Sequence, residues 1–535
     1  MIRINTGVLV IAGLLCFAKG AYAQKCENIT FDFDSQQQTI HSFGASDCWR
    51  TQYIGCNWPD EKRNKIADLL FSTEVDEWGN PKGIGLSLWR FNIGSGSHEA
   101  GDAGGVASLW RRTECFLGKN GDWNWDKQEG QRWMLQAARD RGLRYSLGFS
   151  ITAPYFMTKN GMARASERTP YANLREDCYD DYASFMAEVC KHLDLDYISP
   201  INEPQWEWVG SNQEGMQATN EECCRLIHAL DAELNKREAR TKIVFGEAGD
   251  IRHLFRSGTD KKGRNNQLHE MFALGGEHSI ASLSSVAPVV SGHSYWSTWP
   301  LDTLIRTRTE LKDAMKTCLP EQYSYWQTEY CPMEKNADNP QGGGGRDLGM
   351  NTALYIARVI HHDLAVANAT SWQWWTAFSE WNYKDGLIFI DDGILSSGAM
   401  NGNEKMIETC KKDGVFRTSK TLWALGNFSF FIRPGMVRLA EAGDTSVELA
   451  LKSARGLMAS AYVDKATKQV VVVLVNYSED DKEVELVFDN LPKGYGSRSF
   501  KFYETSERSD LQYKRIVNNK TAVPARSIVT LVGVN

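Results

Sequence analysis

The sequence predicts an α/β fold, a (β/α)8 TIM barrel carrying a small antiparallel β-sandwich side domain. Three observations carry that prediction. From about residue 42 to residue 430, eight short apolar strands alternate with amphipathic helical stretches, the order that builds a barrel of parallel strands. After Pro434 the texture changes to short β-rich runs separated by turn residues. No glycine-rich dinucleotide or phosphate-loop phrase follows any strand, which argues against a doubly wound open sheet.

Residues 1–23 read as a signal peptide. Arg3 precedes the apolar stretch Val8 to Phe17, and Ala21-Tyr22-Ala23 has the small-x-small pattern that signal peptidase reads. Cys16 follows Leu14-Leu15, not the small residue lipidation would want, so the expected product is periplasmic or secreted and begins at Gln24. The apolar run is too short to span a bilayer, no other segment approaches that length, and no membrane insertion is expected.

Residues 24–41 alternate through Ile29, Phe31 and Phe33 and are expected to pair with the sandwich. The catalytic barrel is expected over 42–430. Its strands are read at Ser42–Ser46, Gly85–Ile93, Tyr145–Ile151, Tyr197–Ile201, Lys242–Gly246, Val289–Ser294, Ser324–Thr328 and Thr370–Trp374. Cys223, Leu226, Ile227, Leu230 and Leu234 recur at helical spacing, as do Leu354, Ala357, Ile360, Leu364 and Ala367. The sandwich is expected over 431–535, with strands at Ala459–Val463, Val470–Val475, Val484–Phe488, Ser499–Tyr503 and Ser527–Val532.

Without Arg3 and Lys19, 58 basic side chains face 67 acidic ones, a net charge of −9. That balance disfavours binding nucleic acid or an anionic membrane through bulk charge and leaves neutral substrates open. Eleven cysteines remain after cleavage, an odd number, and Cys190, Cys223 and Cys224 sit inside apolar periodicity as buried thiols would. A Cys48–Cys56 pairing is open; no CxxC pair with a histidine partner suggests zinc.

The chemistry is concentrated in two phrases. Ser199-Pro200-Ile201-Asn202-Glu203-Pro204 ends one strand, and Tyr325-Trp326-Gln327-Thr328-Glu329-Tyr330 ends another, their glutamates 126 residues apart. Loops at the carboxyl ends of barrel strands converge on one face, so both carboxylates are expected there. A pair of this kind suits glycosidic-bond hydrolysis: one carboxyl protonated for the leaving sugar, the other ionised to meet the anomeric carbon. Glu247 and Asp250 lack proline and aromatic framing and are held as reserves.

Eighteen tryptophans favour sugar stacking. Trp49 lies just past the first strand, Trp89 reads as core, and Trp206, Trp208, Trp296 and Trp374 lie near the expected catalytic ends. Arg90 is a charge inside an apolar strand and needs a carboxylate partner. His293 and Tyr295 are placed to bond Glu329 or a substrate hydroxyl, and Asp47 to bind hydroxyls of the terminal sugar.

The ordered set Phe43-Gly44-Ala45-Ser46-Asp47, Arg90-Phe91-Asn92-Ile93-Gly94, Asn202-Glu203-Pro204, Gly292-His293-Ser294-Tyr295, Thr328-Glu329 and Phe431-Ile432-Arg433-Pro434-Gly435 resembles glycoside hydrolase family 30. Ser46-Asp47-x-Trp49 and the tryptophan-rich eighth strand are most similar to its endo-β-1,6-galactanase branch. Other branches act on glucans, xylans, fucosides or glucosylceramide. The resemblance implies Glu203 as acid/base, Glu329 as nucleophile, Asn202 on the sugar 2-OH, and Arg90 and Tyr295 against the nucleophile. It implies a carboxyl separation of about 5–5.5 Å, retention of configuration, a poly- or oligosaccharide substrate, and no metal or organic cofactor. A rival reading is a non-catalytic carbohydrate-binding protein, for which two framed carboxylates have no use. The sandwich lacks tryptophan, which favours a structural prop over a sugar-binding module.

Overall fold

The computed structural model describes residues 26–393, 404–442 and 447–534. The expected signal peptide lies outside the described residues.

After strand β1 (Glu27–Thr39), eight strands form a closed barrel in sequence order: β2 (Ser42–Ser46), β3 (Leu88–Ile93), β4 (Tyr145–Ser150), β5 (Tyr197–Ser199), β6 (Lys242–Ala248), β7 (Val286–His293), β8 (Ser324–Glu329) and β9 (Ala369–Trp374). Neighbouring barrel strands are parallel throughout. Period two sorts their side chains. Leu88 points into the barrel, where it packs with Leu147, Val244, Val289 and Trp326 of other strands. Trp89 and Phe91 point outward into the layer shared with the helices, Trp89 edge-on to Phe71 at 5.0 Å. Arg90 therefore shares the inward face with Leu88.

The amino-terminal mouth is plugged. His41 stacks on Tyr145 at 3.9 Å and lies 4.4 Å from Trp326, which meets Tyr197 edge-on at 5.0 Å. Burial draws the His41 imidazole down to about 4, so this plug is neutral. Polar side chains are left to the opposite, carboxyl end.

Strands β10 (Phe378–Ser379), β11 (Ile388–Asp391) and β12 (Val415–Thr418) make a small sheet beside that end. The remaining strands are β13 (Val437–Glu441), β14 (Leu457–Asp464), β15 (Gln469–Asn476), β16 (Lys482–Asp489), β17 (Ser499–Ser506), β18 (Ser509–Asn518), β19 (Lys520–Val523) and β20 (Ser527–Gly533). They form one sheet in the order β18-β17-β20-β15-β14-β13-β1-β16-β19, with β1 antiparallel to β13 and parallel to β16. The sheet doubles back on itself. Phe488 of β16 lies 6.3 Å from Phe500 of β17, although five strands separate them in the sheet order.

The run Val470 to Val475 shows why this sheet is so apolar. Val470, Val472 and Leu474 face the sandwich core, whereas Val471, Val473 and Val475 face the barrel helices. A strand covered on both faces has no polar side to show. β18 is the opposite case: it sits at the edge, is largely exposed and reads polar (Asp510, Gln512, Lys514, Arg515), so it escapes an apolar-run search. The short β13 and β19 and the helix Val447–Ser453 were missed as well. The cysteines from Cys26 to Cys410 are all free thiols, and Cys48 and Cys56 are not bridged.

One irregularity aims a functional side chain. The β6–β7 register shifts between Phe245 and Ala248, with Gly246 at φ +123°. A Cβ at Gly246 would lie 2.2 Å from the Ser291 carbonyl oxygen. Glycine therefore permits the bulge that turns Glu247 into the barrel. Gly246→Ala is expected to cost about 1–3 kcal/mol, read as a lowered denaturant midpoint; an unchanged midpoint would contradict this reading.

Candidate active site

Five strand ends deliver charged side chains to one buried point. Arg90, from β3, is fully buried and donates from Nη1 to Glu329 Oε2 at 2.6 Å. Its Nη2 donates to Asn202 Oδ1 and Glu247 Oε2, each at 2.8 Å. The guanidinium lies 3.8 Å from the Phe149 ring centroid, a cation–π contact that holds its plane. Tyr295 donates its hydroxyl to Glu329 Oε1 at 3.1 Å. His293 closes β7 and faces Glu203 Oε1 from Nδ1 at 2.8 Å and Glu247 Oε2 from Nε2 at 3.1 Å. Thr328 donates to Glu247 Oε1 at 3.0 Å.

Within this set, one oxygen of Glu203 and one of Glu329 lie within 4.8 Å of each other. An inverting pair needs about 6.5–9.5 Å to admit a water between its carboxyls, whereas a retaining pair stands about 5–5.5 Å apart. With two oxygens this near, both carboxyls can reach one reacting centre.

Electrostatics divides the three carboxylates. For Glu247, burial pushes the carboxyl up, but Arg90 and His293 outweigh it and hold the group down at about 2. For Glu203, burial raises the carboxyl; His293 opposes that and Glu329 adds to it, and the balance is upward. Burial pulls the His293 imidazole down, yet Glu329, Glu203 and Glu247 together lift it to about 10. The cluster thus sets the raised Glu203 and the lowered Glu247 beside two cationic side chains, Arg90 and His293. Since His293 N–H points at Glu203 Oε1, a proton on Glu203 belongs on Oε2.

The backbone is bent to reach this arrangement. Glu203 has φ +47° and Glu247 φ +40°, left-handed conformations that bulky residues rarely adopt. Glu203 N–H donates to the Glu247 carbonyl at 3.0 Å, fastening one turn to the other.

The sequence candidates separate into those that reach the cleft and those that do not. Asn202, Glu203, Trp206, Trp208, Tyr295 and Glu329 line a cavity of about 420 Å³. Asp47 does not reach it. Its carboxylate is fully buried, accepts from Asn92 N–H at 2.8 Å and from Gln131 Nε2 at 3.0 Å, and is pushed up to about 7 by burial. It ties β2 to β3 and has no face left for a sugar hydroxyl. Trp374 is also enclosed, with its indole N–H on the Asp385 carbonyl at 2.7 Å. The next residue, Trp375, lines the cavity instead. Trp49 is 4% exposed and stands edge-on behind Trp375 at 5.3 Å, a support for that ring. His293 bonds Glu203 and Glu247, and Tyr295 takes the place at Glu329. Glu247 belongs at the centre, and only the Gly246-Glu247 dipeptide at a strand end signalled it.

Glu203, His293 and Glu329 also form, among the described residues, a cluster of the size that could hold a metal ion. The fit is poor. Both ring nitrogens of His293 already face carboxylates, Nδ1 towards Glu203 and Nε2 towards Glu247, so a metal at Nδ1 would have to displace the contact with Glu203.

The comparisons with known proteins concern the family and the fold. The family model of O-glycosyl hydrolase family 30 matches residues 26–389. A solved conserved exported protein from Bacteroides fragilis is 36% identical, with TM-score 0.86 over 95% of this chain and 100% of that one. The catalytic domain of a family 30 xylanase C from Talaromyces cellulolyticus is 19% identical, with TM-score 0.65 over 95% of this chain and 100% of that one, and shows the shared fold. An endo-beta-1,6-galactanase of Hypocrea rufa is 23% identical over 252 residues, 43% of this chain. The chain spans about half of that relative's length, 50%.

The charge network has a measurable pH signature. With its folded value near 10, above the ordinary 6.5, charged His293 stabilises the fold fully below pH 6.5, and that contribution is lost as pH rises towards 10. Glu247, held near 2 below the ordinary 4.5, contributes above pH 4.5 and loses its contribution as pH falls towards 2. Glu247→Gln is expected to move the His293 titration, followed by NMR of the imidazole nitrogens, down towards 6.5. An unmoved titration would show that Glu247 merely fills space.

Proposed function

Because the chain belongs to glycoside hydrolase family 30, we propose that it cleaves β-linked polysaccharide with retention, Glu203 serving as acid/base and Glu329 as nucleophile. The observation that carries this reading is the pair of carboxylates within 4.8 Å, one beside His293 and the other gripped by Arg90 and Tyr295.

In the first step Glu203 transfers its Oε2 proton to the glycosidic oxygen while a Glu329 oxygen bonds the anomeric carbon and the C–O bond to the leaving sugar breaks. In the second, Glu203 takes a proton from water, the water oxygen bonds the anomeric carbon from the β face, and the bond to Glu329 breaks. The surrounding charges help the same group do both jobs. The Glu329 charge raises Glu203 in the resting site. Once Glu329 is esterified that repulsion is gone, and His293 favours the Glu203 carboxylate that must act as base. Asn202 commits its Oδ1 to Arg90, which leaves its amide N–H groups for the sugar 2-OH.

The substrate proposed is β-1,6-linked galactan cut within the chain. The galactanase relative and the Ser46-Asp47-x-Trp49 phrase support it. The buried setting of Asp47 gives that aspartate a structural part in the phrase. Export is proposed from Arg3, Val8–Phe17 and Ala21-Tyr22-Ala23, with the exported relative in support. The folded-over sheet is proposed as a prop for the barrel, against which Val471, Val473 and Val475 pack.

A substrate panel tests the reading. β-1,6-Galactan, β-1,6-glucan, xylan and aryl β-glycosides are incubated with enzyme and product lengths are recorded. A ladder of galacto-oligosaccharides is expected from galactan alone; monosaccharide from aryl glycosides only would make it an exo-enzyme. Glu329→Gln should lose turnover by more than about 10³-fold with an unchanged circular dichroism spectrum, and retained activity would remove Glu329 from its role.

A further inference from the structure

Near Trp208, which lines the catalytic cavity, lies a buried carboxylate that the two-step hydrolysis leaves without a task. Glu214 is fully enclosed, and its bonds run to hydroxyls and backbone N–H groups rather than to a cation. Ser97 Oγ donates to Glu214 Oε1 at 2.6 Å and Thr113 Oγ1 donates to the same oxygen at 2.5 Å. Ser95 N–H and Ser97 N–H reach Oε2 and Oε1, each at 3.4 Å. The other partners of the two hydroxyls fix the direction of these bonds. Thr113 N–H donates to Ser97 Oγ at 2.9 Å, and Ser95 N–H donates to Thr113 Oγ1 at 3.2 Å. Each hydroxyl therefore gives its own proton to Glu214, and a group that only accepts suits the place. Burial pushes this carboxyl up, a cost that mere space-filling would not require.

Glu214 and its neighbours join three loops of the active face. Ser95, Ser97 and Thr113 belong to the loop after β3. Asn212 and Gln213 add bonds to the same loop, accepting from Ser108 N–H at 2.8 Å and Arg111 Nη1 at 3.3 Å. Gly215 donates its N–H to the Ala163 carbonyl at 3.1 Å and accepts from Ala165 N–H at 3.2 Å, which ties in the loop after β4. A Cβ at Gly215 would lie 2.3 Å from Trp208 Cδ2 and 2.6 Å from Cε3, so the indole fills the place of the missing side chain. Trp208 has φ +30°, a left-handed conformation that a bulky residue rarely adopts. Its indole N–H donates to the Glu203 carbonyl at 3.4 Å, beside Trp206 N–H at 3.1 Å. The turn that carries Glu203 is thus gripped by a ring whose seat adjoins Glu214.

We propose that Glu214 is a positioning residue for the acid/base Glu203, acting through Gly215 and Trp208 to hold the Glu203 turn where its carboxyl meets the glycosidic oxygen. The inference rests on the hydrolase reading above. General acid catalysis contributes about 10²–10⁴-fold, so a misaimed acid loses a measurable part of that gain. Cleavage that needs no acid is spared the loss.

Two variants disturb the clasp by different chemistry. Glu214→Gln keeps the shape and replaces one acceptor oxygen by N–H donors; Gly215→Ala puts a methyl group where the indole lies. In protein labelled with 5-fluorotryptophan, the Trp208 fluorine resonance, identified by its loss in Trp208→Phe, should shift in both variants. Next, kcat/KM is measured on phenyl and 2,4-dinitrophenyl β-galactobiosides, or on the same aryl pair attached to the sugar that the substrate panel finds cleaved. The phenyl group needs a proton from Glu203 to leave, and the dinitrophenyl group does not. Each variant should lose about ten-fold more on the phenyl glycoside than on the dinitrophenyl one. In a Trp208→Ala background, Glu214→Gln should add less than about two-fold to that difference. Equal losses on the two glycosides, an unmoved Trp208 resonance, or a full further loss without the indole would overturn the positioning role alone. Glu203→Gln is the control: equal losses there would instead remove Glu203 as the acid, and the inference with it.

Discussion

A single buried guanidinium organises this barrel. Arg90 is fully enclosed, and an uncompensated charge there would be prohibitively costly. Its partners come from the ends of three other strands, Glu329 closing β8, Glu247 from β6 and Asn202 after β5. Removing any of them leaves an unbalanced charge or an unmet donor in the barrel lumen. The arginine thus forces strands far apart in sequence to present their carboxylates at one place, and His293 adds a second positive charge between Glu203 and Glu247. Two cations stand among three carboxylates, and of these burial and the neighbouring Glu329 push Glu203 upward while Arg90 and His293 hold Glu247 down.

The backbone accommodates this cluster through departures from regular strand geometry. Glycine at 246 permits a bulge, and Glu203 and Glu247 adopt left-handed conformations that the surrounding hydrogen bonds hold in place. Such deviations collect where a fold must aim a side chain at a task. The rest of the molecule supplies rigidity. Aromatic side chains seal the opposite mouth of the barrel, and the folded-over sheet lays alternate valines of β15 against the barrel helices.

Much of this was legible from residue order. The barrel could be read because its strands are covered on both faces and appear as apolar runs separated by helical periodicity. Glu203 and Glu329 stood out through their proline and aromatic neighbours, and Arg90 through the cost of a lone charge in an apolar strand. Glu247 was not given comparable weight, because its importance comes from contacts with residues 157 and 46 positions away, Arg90 and His293, and leaves only a glycine as a local mark. Trp374 and Trp375 are adjacent, and a one-residue difference decides which ring is enclosed and which meets the cavity. Asp47 looked like a surface group at a strand end, yet Gln131, 84 residues on, claims one of its oxygens. The edge strand β18 hid in its own polarity.

The central claim is that the charge cluster makes Glu329, and neither Glu203 nor Glu247, the group that bonds the sugar. Trapping with a 2-deoxy-2-fluoro β-galactobioside carrying a good leaving group, followed by intact mass and peptide mapping, tests it most directly. The account predicts one added glycosyl unit, attached to Glu329. Label on Glu203 or Glu247, or turnover through direct inversion with no adduct, would contradict it.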